Sequence, residues 1–305
     1  MVTARHAAAG APRRPDWEQD VRIRTRPGRP DSGVKLYVTD RDAAGMREFM
    51  ANTGFRRYPR LMATLVALLG QFPAEAQIRV LIVPLSVGLE AVSLAIAGLE
   101  AGLFQARSVT IEGFDISAKA TALARSGVYP RLFFPDDLTA FAPALREADD
   151  GFVEVDASVM AHVRVLDPAD VLTFAPGKPY DMVVCLNLLM HLPEKARPAL
   201  VARLAELTAP GGILCLNNNQ EWPDELVPHF AALTAPAAGF VSLHEALADA
   251  PGTGTTPAGP VPAFAVTDAN AMILRRAGEG RSAFPSPPAH ATHSAKPAGP
   301  TSPRR

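Results

Sequence analysis

The chain has 305 residues, 48% of them hydrophobic, and its formal net charge is −1. That length is enough for one large α/β domain with extensions, and the balanced charge excludes the strongly basic field of a nucleic-acid-binding protein. The two cysteines, Cys185 and Cys215, lie in predicted core strands. We interpret them as buried thiols, because two such residues are too few for a disulfide framework or a zinc site.

Signals for export or membrane insertion are missing from the hydropathy pattern. Residues 1–17 lack the apolar stretch of a secretory signal. No apolar run approaches the roughly 20 residues that span a bilayer. The sequence therefore predicts a cytoplasmic protein without membrane insertion.

Both ends of the chain have the composition of unfolded segments. Residues 1–38 are rich in Arg, Pro, Gly and Ala, which predicts a disordered basic arm. An arm that docks on an acidic partner is the alternative interpretation. Residues 278–305 are rich in Pro, Ser, Ala and Gly and are predicted to be a disordered tail.

A helical pattern follows the arm, in residues 39–75. Apolar residues recur there at three- and four-residue spacing, which predicts a short N-terminal helical segment. Gly54 and Pro59 interrupt it. The interruption contains two adjacent arginines, Arg56 and Arg57, which are either solvated surface residues or part of a site.

The stretch Arg79–Glu90, RVLIVPLSVGLE, predicts a buried parallel strand, a tight turn and the start of a helix. Ser86 and Gly88 are small residues where backbone can approach a ligand, and the helix would direct its positive dipole end at that ligand. Asp115 ends the next predicted strand, Val109–Phe114. Rossmann-like folds hold a ribose with an acid at this position.

The remaining chain alternates between strands and helices, with one interruption. Further strands are predicted at 162–166, 180–186, 213–217, 264–266 and 272–274. Helices are predicted at 89–103, 117–126 and 194–208. Residues 129–161 break the alternation and are predicted to be a small inserted subdomain with a helix at 138–145 and an edge strand at 152–155. The pattern predicts an α/β fold in which residues 76–277 form a doubly wound, mostly parallel sheet.

Ligands of such sheets bind at the carboxyl ends of the strands. Five small or polar residues fall at or just after four of these predicted ends: Ser86, Gly88, Asp115, Asp170 and Asn187. Their convergence predicts a ligand site. A nicotinamide-dependent dehydrogenase would also use an acid at residue 115, but the glycine pattern that it needs is missing here.

The run Asp115–Pro130, with its ALARSGVYP ending, resembles the acid-bearing strand end and following helix of the chemotaxis-receptor glutamate methyltransferases, the CheR family. Other segments resemble further motifs of that family, in order over residues 45–220: Thr53–Arg57 (the end of NxTxFFR), Leu85–Glu90 (CSTGEE), Phe152–Leu172 (the entry to the third strand) and Tyr180–Leu192 (FDxIxCRNVxIYF). The resemblance implies a Rossmann-like class I methyltransferase fold. It also implies S-adenosylmethionine (AdoMet) as cofactor and glutamate side chains of chemoreceptor helices as acceptors.

Position by position, the resemblance implies a set of cofactor-binding residues: Thr53, Arg57, Glu90, Asp115, Asp170, Val171, Asn187 and Leu188. Glu90 would pair with the ammonium group of AdoMet, and Asp115 would accept hydrogen bonds from the ribose hydroxyls. Asp170 and Val171 would bracket the adenine. Arg57, with Thr53, would contact the methionine end and the reaction site, and Arg57 is the implied catalytic residue. Asn187 and the backbone of Leu188 would line the cleft near the methionine moiety.

The chemistry of AdoMet suits this allocation. A site for it needs carboxylates for the ammonium group and the diol, and a cation or N–H groups for the carboxylate. An acceptor carboxylate is ionised at neutral pH and needs no general base, so catalysis would come from holding acceptor and methyl group in line. No metal is implied.

Several residues depart from the family pattern: Ala51, Arg56, Leu85, Leu89, Leu186 and His191. They motivate two alternatives to methylation of a protein carboxylate. One is a catalytically silent AdoMet-binding sensor or scaffold. The other is a small-molecule methyltransferase in which His191 acts as a base. The acceptor is thus a protein, such as a chemoreceptor-like helix, or a small molecule.

Overall fold

A computed structural model describes residues 21–24, 35–42, 45–50, 53–148, 151–217, 239–243, 265–266 and 271–278. The strands, in chain order, are β1 (Val21–Arg24), β2 (Lys35–Asp42), β3 (Gly45–Met50), β4 (Gln77–Ile82), β5 (Ser108–Gly113), β6 (Val128–Pro130), β7 (Leu145–Ala148), β8 (Phe152–Val155), β9 (Val163–Val165), β10 (Tyr180–Cys185), β11 (Thr208–Asn217), β12 (Phe240–Ser242), β13 (Ala265–Val266) and β14 (Ala271–Arg276). The α-helices are α1 (Pro59–Leu69), α2 (Leu89–Glu100), α3 (Leu103–Ala106), α4 (Ala118–Ser126), α5 (Ala157–Met160) and α6 (Arg197–Leu207).

The main sheet has the order β12-β14-β11-β10-β4-β5-β9, with β13 paired to β14. The five strands from β11 to β9 are parallel, whereas β14 runs antiparallel to both β11 and β12. Strand order reverses between β4 and β10, so the carboxyl ends of these two strands frame a crevice at one edge of the sheet. The predicted α/β class and the doubly wound, mostly parallel sheet are confirmed.

Helices cover both faces of this sheet because the central strands are apolar on both faces. Along β4, Val80 and Ile82 belong to one buried cluster, which includes Leu94 of α2. Leu81 belongs to the cluster on the opposite face, with Leu204 of α6. Within the described ranges, no helix combines the length and the apolar character needed to cross a membrane.

The two cysteines lie in the strands where the sequence predicted them. Cys185 and Cys215 are both buried and free, on the neighbouring strands β10 and β11. Burial raises the pKa of Cys215 to about 12. Such a thiol stays protonated at neutral pH, and protonated thiols are poor nucleophiles and poor metal ligands. Both therefore serve as core residues.

A second, antiparallel sheet of three strands, in the order β6-β8-β7, occupies residues 128–155. The predicted helix at 138–145 is wrong. Thr139–Phe141 form a single 3-10 turn, and β7 begins at Leu145. Pro143 has no N–H group with which a longer helix could continue. The strand at 152–155 is confirmed, but it is the central strand of this sheet rather than an edge strand.

The N-terminal residues differ most from prediction. Strands β1, β2 and β3 form an antiparallel sheet, so the helical segment predicted at 39–75 is wrong over residues 39–42 and 45–50. The arm predicted to be disordered contains strand structure at 21–24 and 35–38. The apolar spacing of Met46, Phe49 and Met50 fits a helix, but cross-strand pairing decided the outcome. The part of the predicted helical segment that follows the interruption is confirmed as α1, Pro59–Leu69. The other residues of the arm, and residues 279–305 of the tail, lie outside the described residues.

Candidate functional site

A cavity of about 480 Å³ lies at the carboxyl edge of the main sheet, where β4, β5 and β10 end. Its walls are mostly apolar side chains, with a few polar groups among them. The lining residues that the sequence predicted to bind a ligand are Ser86, Glu90, Asp115, Asp170, Val171, Asn187 and Leu188. These residues are far apart in the chain, and the strand order brings them to one hollow.

The turn between β4 and α2 is held against the end of β5. The Leu85 N–H donates to the Phe114 carbonyl oxygen at 2.8 Å. Gly88 caps α2 with φ +91°, a left-handed conformation that favours glycine. A Cβ at Gly88 would lie 2.9 Å from the Cβ of Ala124 on α4, so glycine also permits the close approach of the two helices.

Asp115 connects this turn to the start of α4. One carboxylate oxygen accepts the Ser86 N–H at 2.9 Å, and the other accepts the Ser117 N–H at 3.0 Å. Ser117 in turn caps α4, because its Oγ accepts the Ala120 N–H at 3.1 Å. The Asp115 carboxylate is therefore fixed in place, and it lines the cavity while remaining partly exposed.

Glu90 is a buried carboxyl group on the cavity wall, in the first turn of α2. Its Oε2 accepts the hydroxyl hydrogen of Thr53 at 2.6 Å. Burial raises the pKa of Glu90, and this effect exceeds the opposing effects of the Thr53 hydrogen bond and the Arg57 charge. A cation bound beside Glu90 would replace the hydration that burial removes.

Thr53 and Arg57 belong to the segment before α1, and neither lines the cavity itself. Thr53 is buried against Glu90. Arg57 is exposed, with its guanidinium 5.1 Å from the centre of the Tyr58 ring, and its charge acts on Glu90. Arg57 therefore lies beside the cavity rather than within it.

Arg56 holds the same segment on α2. Its guanidinium forms two hydrogen bonds to Glu100, at 2.9 and 3.2 Å, and its N–H donates to the Ser93 Oγ at 2.9 Å. The Arg56 guanidinium also lies over the ring of Phe141, between β6 and β7, at 5.2 Å from the ring centre. Arg56 is thus an anchoring residue and not a solvated arginine.

Asn187 follows β10 and is in contact with two residues that sequence reasoning missed. The Tyr58 hydroxyl donates to the Asn187 Oδ1 at 3.1 Å, and the Asn217 Nδ2 donates to the same atom at 3.1 Å. An asparagine at the end of the next predicted strand, β11, was the available signal for Asn217. Nothing in the sequence indicated that Tyr58 approaches Asn187.

Four more residues complete the outer wall. The Asp170 carboxylate accepts the Leu172 N–H at 2.9 Å and is exposed, whereas Val171 is half-buried. Leu172 and Ile116 are exposed apolar side chains on the cavity wall. Exposed apolar side chains at the mouth of a cavity suit a flat aromatic ligand, which would cover them.

His191 also lines the cavity, on a 3-10 turn after Asn187. Partial desolvation lowers its pKa below the usual range. The imidazole is therefore neutral at pH 7 and can accept a proton. Within the described ranges, no group of three or more His, Cys, Asp and Glu side chains is arranged to hold a metal ion.

The strand order and the position of the cavity define a Rossmann-like class I methyltransferase fold, a class that binds AdoMet at this edge of the sheet. The sequence model of the family described as "CheR methyltransferase, SAM binding domain" matches residues 52–237, which is more than half of the chain. The chain therefore belongs to the CheR methyltransferase family, and AdoMet is its cofactor.

Two curated relatives are similar over part of their length. The chain is 31% identical over 172 residues to the "probable biofilm formation methyltransferase WspC" of Pseudomonas aeruginosa, covering 53% of this chain and 40% of that protein. The match to the protein of the same name in Pseudomonas putida is 32% over 171 residues, covering 53% and 39%. The chain thus spans about two fifths of the length of these relatives.

Solved structures of methyltransferases are also similar. The magnesium protoporphyrin IX methyltransferase of Synechocystis PCC 6803 with bound SAM has a TM-score of 0.40 and 17% identity, covering 72% of this chain and 79% of its own. A SAM-dependent O-methyltransferase of Thermotoga maritima has a TM-score of 0.41 and 13% identity, covering 80% and 78%.

Proposed function

We propose that this protein transfers the methyl group of AdoMet to a carboxylate oxygen of a protein side chain, the acceptor being a chemoreceptor-like helix. The observation that supports this proposal most is that Glu90, Asp115 and Asn187 share one cavity in a chain of the CheR family. Residues 76–277 would form the AdoMet-binding domain, with 129–161 inserted in it and 39–75 preceding it.

The residues at the cavity fit AdoMet. Glu90 offers a buried carboxylate to the ammonium group, and Asp115 offers a carboxylate to the ribose diol. Asp170 and Val171 flank the exposed apolar wall that suits the adenine. The Ser86 Oγ is buried with no hydrogen-bond partner in the described part of the chain, so it is a further polar group for the ligand.

The methionine end would lie toward Asn187, the backbone of Leu188, Thr53 and Arg57. Thr53 would orient Glu90 through their 2.6 Å hydrogen bond. Arg57, beside the cavity, would hold carboxylates of the cofactor and of the acceptor by charge-assisted hydrogen bonds. We therefore propose Arg57 as the catalytic residue.

AdoMet supplies a methyl group already activated by a sulfonium. The acceptor carboxylate is ionised at neutral pH, so no residue of this chain has to remove a proton from it. The task of the protein is to align the two groups and exclude water. Alignment of this kind contributes up to about 7–11 kcal/mol to catalysis.

Transfer of labelled methyl groups to protein tests the proposal. The full chain is incubated with methyl-labelled AdoMet and a lysate, and the protein fraction is then treated with mild base. We expect base-labile label, because carboxyl methyl esters hydrolyse under these conditions. AdoMet binding with no label in any fraction would contradict an active enzyme and support the sensor alternative.

One observation favours a second candidate function. His191 lines the cavity as a neutral imidazole and can act as a base for a hydroxyl or amine acceptor on a small molecule. In that case the label appears in the small-molecule fraction, and His191→Gln abolishes transfer. For a carboxylate acceptor, His191→Gln leaves base-labile transfer in place.

A further inference from the structure

Three polar side chains form a hydrogen-bonded cluster beneath the cavity: Tyr58, Asn187 and Asn217. Asn187 follows β10, Asn217 ends the neighbouring parallel strand β11, and Tyr58 precedes α1. Tyr58 and Asn217 are buried, and only Asn187 lines the cavity. The cluster therefore connects a cavity residue to groups that a bound ligand does not reach.

The main chain fixes the orientation of both carboxamides. The Asn187 N–H donates to the Asn217 Oδ1 at 2.6 Å. Because a backbone N–H is a donor only, the atom of Asn217 that receives it has to be the oxygen. The Asn217 Nδ2 then faces the Asn187 side chain, and the atom it meets at 3.1 Å has to be Oδ1.

The Asn187 Oδ1 accepts two hydrogen bonds, one from Asn217 Nδ2 and one from the Tyr58 hydroxyl. Two bonds occupy both lone pairs of a carboxamide oxygen. The Asn187 Nδ2 makes no hydrogen bond to any described residue, and Asn187 is the member of the cluster that lines the cavity. Asn187 itself has φ +59°, so its backbone is also held in an uncommon conformation at this point.

We propose that Tyr58 and Asn217 are positioning residues that lock the Asn187 carboxamide so that its Nδ2 donates into the cavity to a carboxylate. The Asn187 Nδ2 can only donate hydrogen bonds, so it disfavours an ammonium group, which also only donates, at the same place. Two carboxylates have this chemistry, that of AdoMet and that of the acceptor. A contact with the AdoMet carboxylate requires only that AdoMet occupies the cavity. A contact with the acceptor carboxylate rests also on the proposed function.

Asn217→Asp is the sharpest perturbation of the lock. One oxygen of the new side chain still accepts the Asn187 N–H, but the other cannot donate to Oδ1 and instead accepts from Nδ2. The carboxamide of Asn187 then turns over and presents its oxygen to the cavity. Because this substitution also adds a negative charge, Tyr58→Phe serves as a neutral variant that removes one of the two donors and nearly preserves shape.

Calorimetry with two probes, AdoMet and decarboxylated AdoMet, reports on the cofactor carboxylate. We expect Asn217→Asp to lower the preference for AdoMet over its decarboxylated form by about tenfold or more, and Tyr58→Phe to lower it by about threefold. An effect confined to the charged variant would overturn the proposal. If Asn217→Asp does not fold, Tyr58→Phe decides the question alone.

Label transfer to protein reports on the acceptor carboxylate. The result that assigns Nδ2 to the acceptor carboxylate has two parts. The preference for AdoMet over its decarboxylated form stays unchanged, and base-labile transfer falls at least about tenfold in Asn217→Asp and falls also in Tyr58→Phe. Equal weakening of both probes, or no change in either experiment, overturns the lock. A changed probe preference in a chain that never transfers methyl groups would refute the proposed function and leave the lock standing.

Discussion

Glu90→Gln perturbs the most deeply buried charged group of the candidate site. The carboxyl group of Glu90 lines the cavity and accepts one hydrogen bond from Thr53. Glutamine keeps the size of the side chain and removes the charge. If Glu90 pairs with the ammonium group of AdoMet, the variant loses a buried ion pair while the cavity keeps its shape.

The expected loss follows from burial. Breaking a buried ion pair costs about 3–5 kcal/mol, which corresponds to about 10² to 10⁴ in Kd. The raised pKa of Glu90 means that ionising it in the free chain is itself costly, and the variant no longer has that cost. We therefore expect AdoMet affinity to fall by about 10², the lower end of this range.

The pH dependence gives a second measure of the same pair. Burial raises the pKa of Glu90 in the folded chain, so the folded state keeps a proton that the unfolded state has lost. The free energy of unfolding therefore falls as pH rises from the pKa of Glu90 in the unfolded chain through its higher pKa in the folded chain. A bound ammonium lowers the pKa again, so AdoMet binding releases a proton and affinity rises with pH there. The charge of Arg57 opposes the effect of burial on Glu90. Burial also raises the pKa of the neighbouring Tyr129 hydroxyl, so Tyr129 stays neutral in this range.

Isothermal titration calorimetry in two buffers of different ionisation enthalpy measures both the affinity and the released proton. Glu112→Gln is the matched control, because Glu112 is also buried but is paired with Arg79 and Arg164, at 2.7 and 3.0 Å, away from the cavity. The control should lower the melting temperature and leave AdoMet affinity unchanged. Equal affinities of Glu90→Gln and wild type, or proton release that persists in the variant, would refute the assignment of Glu90.

Three further changes are informative. Asp115→Ala removes the acceptor of two backbone N–H groups and a carboxylate of the cavity, so we expect AdoMet affinity measured by calorimetry to fall about 10- to 100-fold, with unchanged affinity counting against the site. Arg57→Ala should lower the single-turnover rate of labelling about tenfold or more while AdoMet affinity changes less, and a loss confined to affinity would contradict its catalytic role. Gly88→Ala places a Cβ on a residue in the left-handed conformation, 2.9 Å from the Cβ of Ala124, so thermal unfolding should show a free energy of unfolding lower by about 1–3 kcal/mol. Gly177→Ala, with open space around it, is the control and should leave the free energy of unfolding nearly unchanged.

The sequence determined the main sheet because its strands are apolar runs separated by helices with clear start and stop signals. The helix predicted at 117–126 is confirmed as α4, with Ser117 as its N-cap and Gly127, at φ +63°, as its C-cap. Local patterns of this kind depend on neighbouring residues in the chain, so they can be recognised without knowledge of the tertiary structure. The convergence of Ser86, Asp115, Asp170 and Asn187 also followed from the sequence, since parallel strands end at the same edge, whereas Glu90 was implied by the family resemblance.

Tertiary structure alone decided the features that depend on distant partners. The spacing of apolar residues at 46–50 suits a helix, but pairing with β2 makes them a strand. The same is true of the site: Thr53 meets Glu90 across 37 residues, and Tyr58 meets Asn187 across 129. The sequence supplies the polar groups of the site. The orientation of each group is set by contacts between segments that are distant in the chain, and no local sequence pattern predicts those contacts.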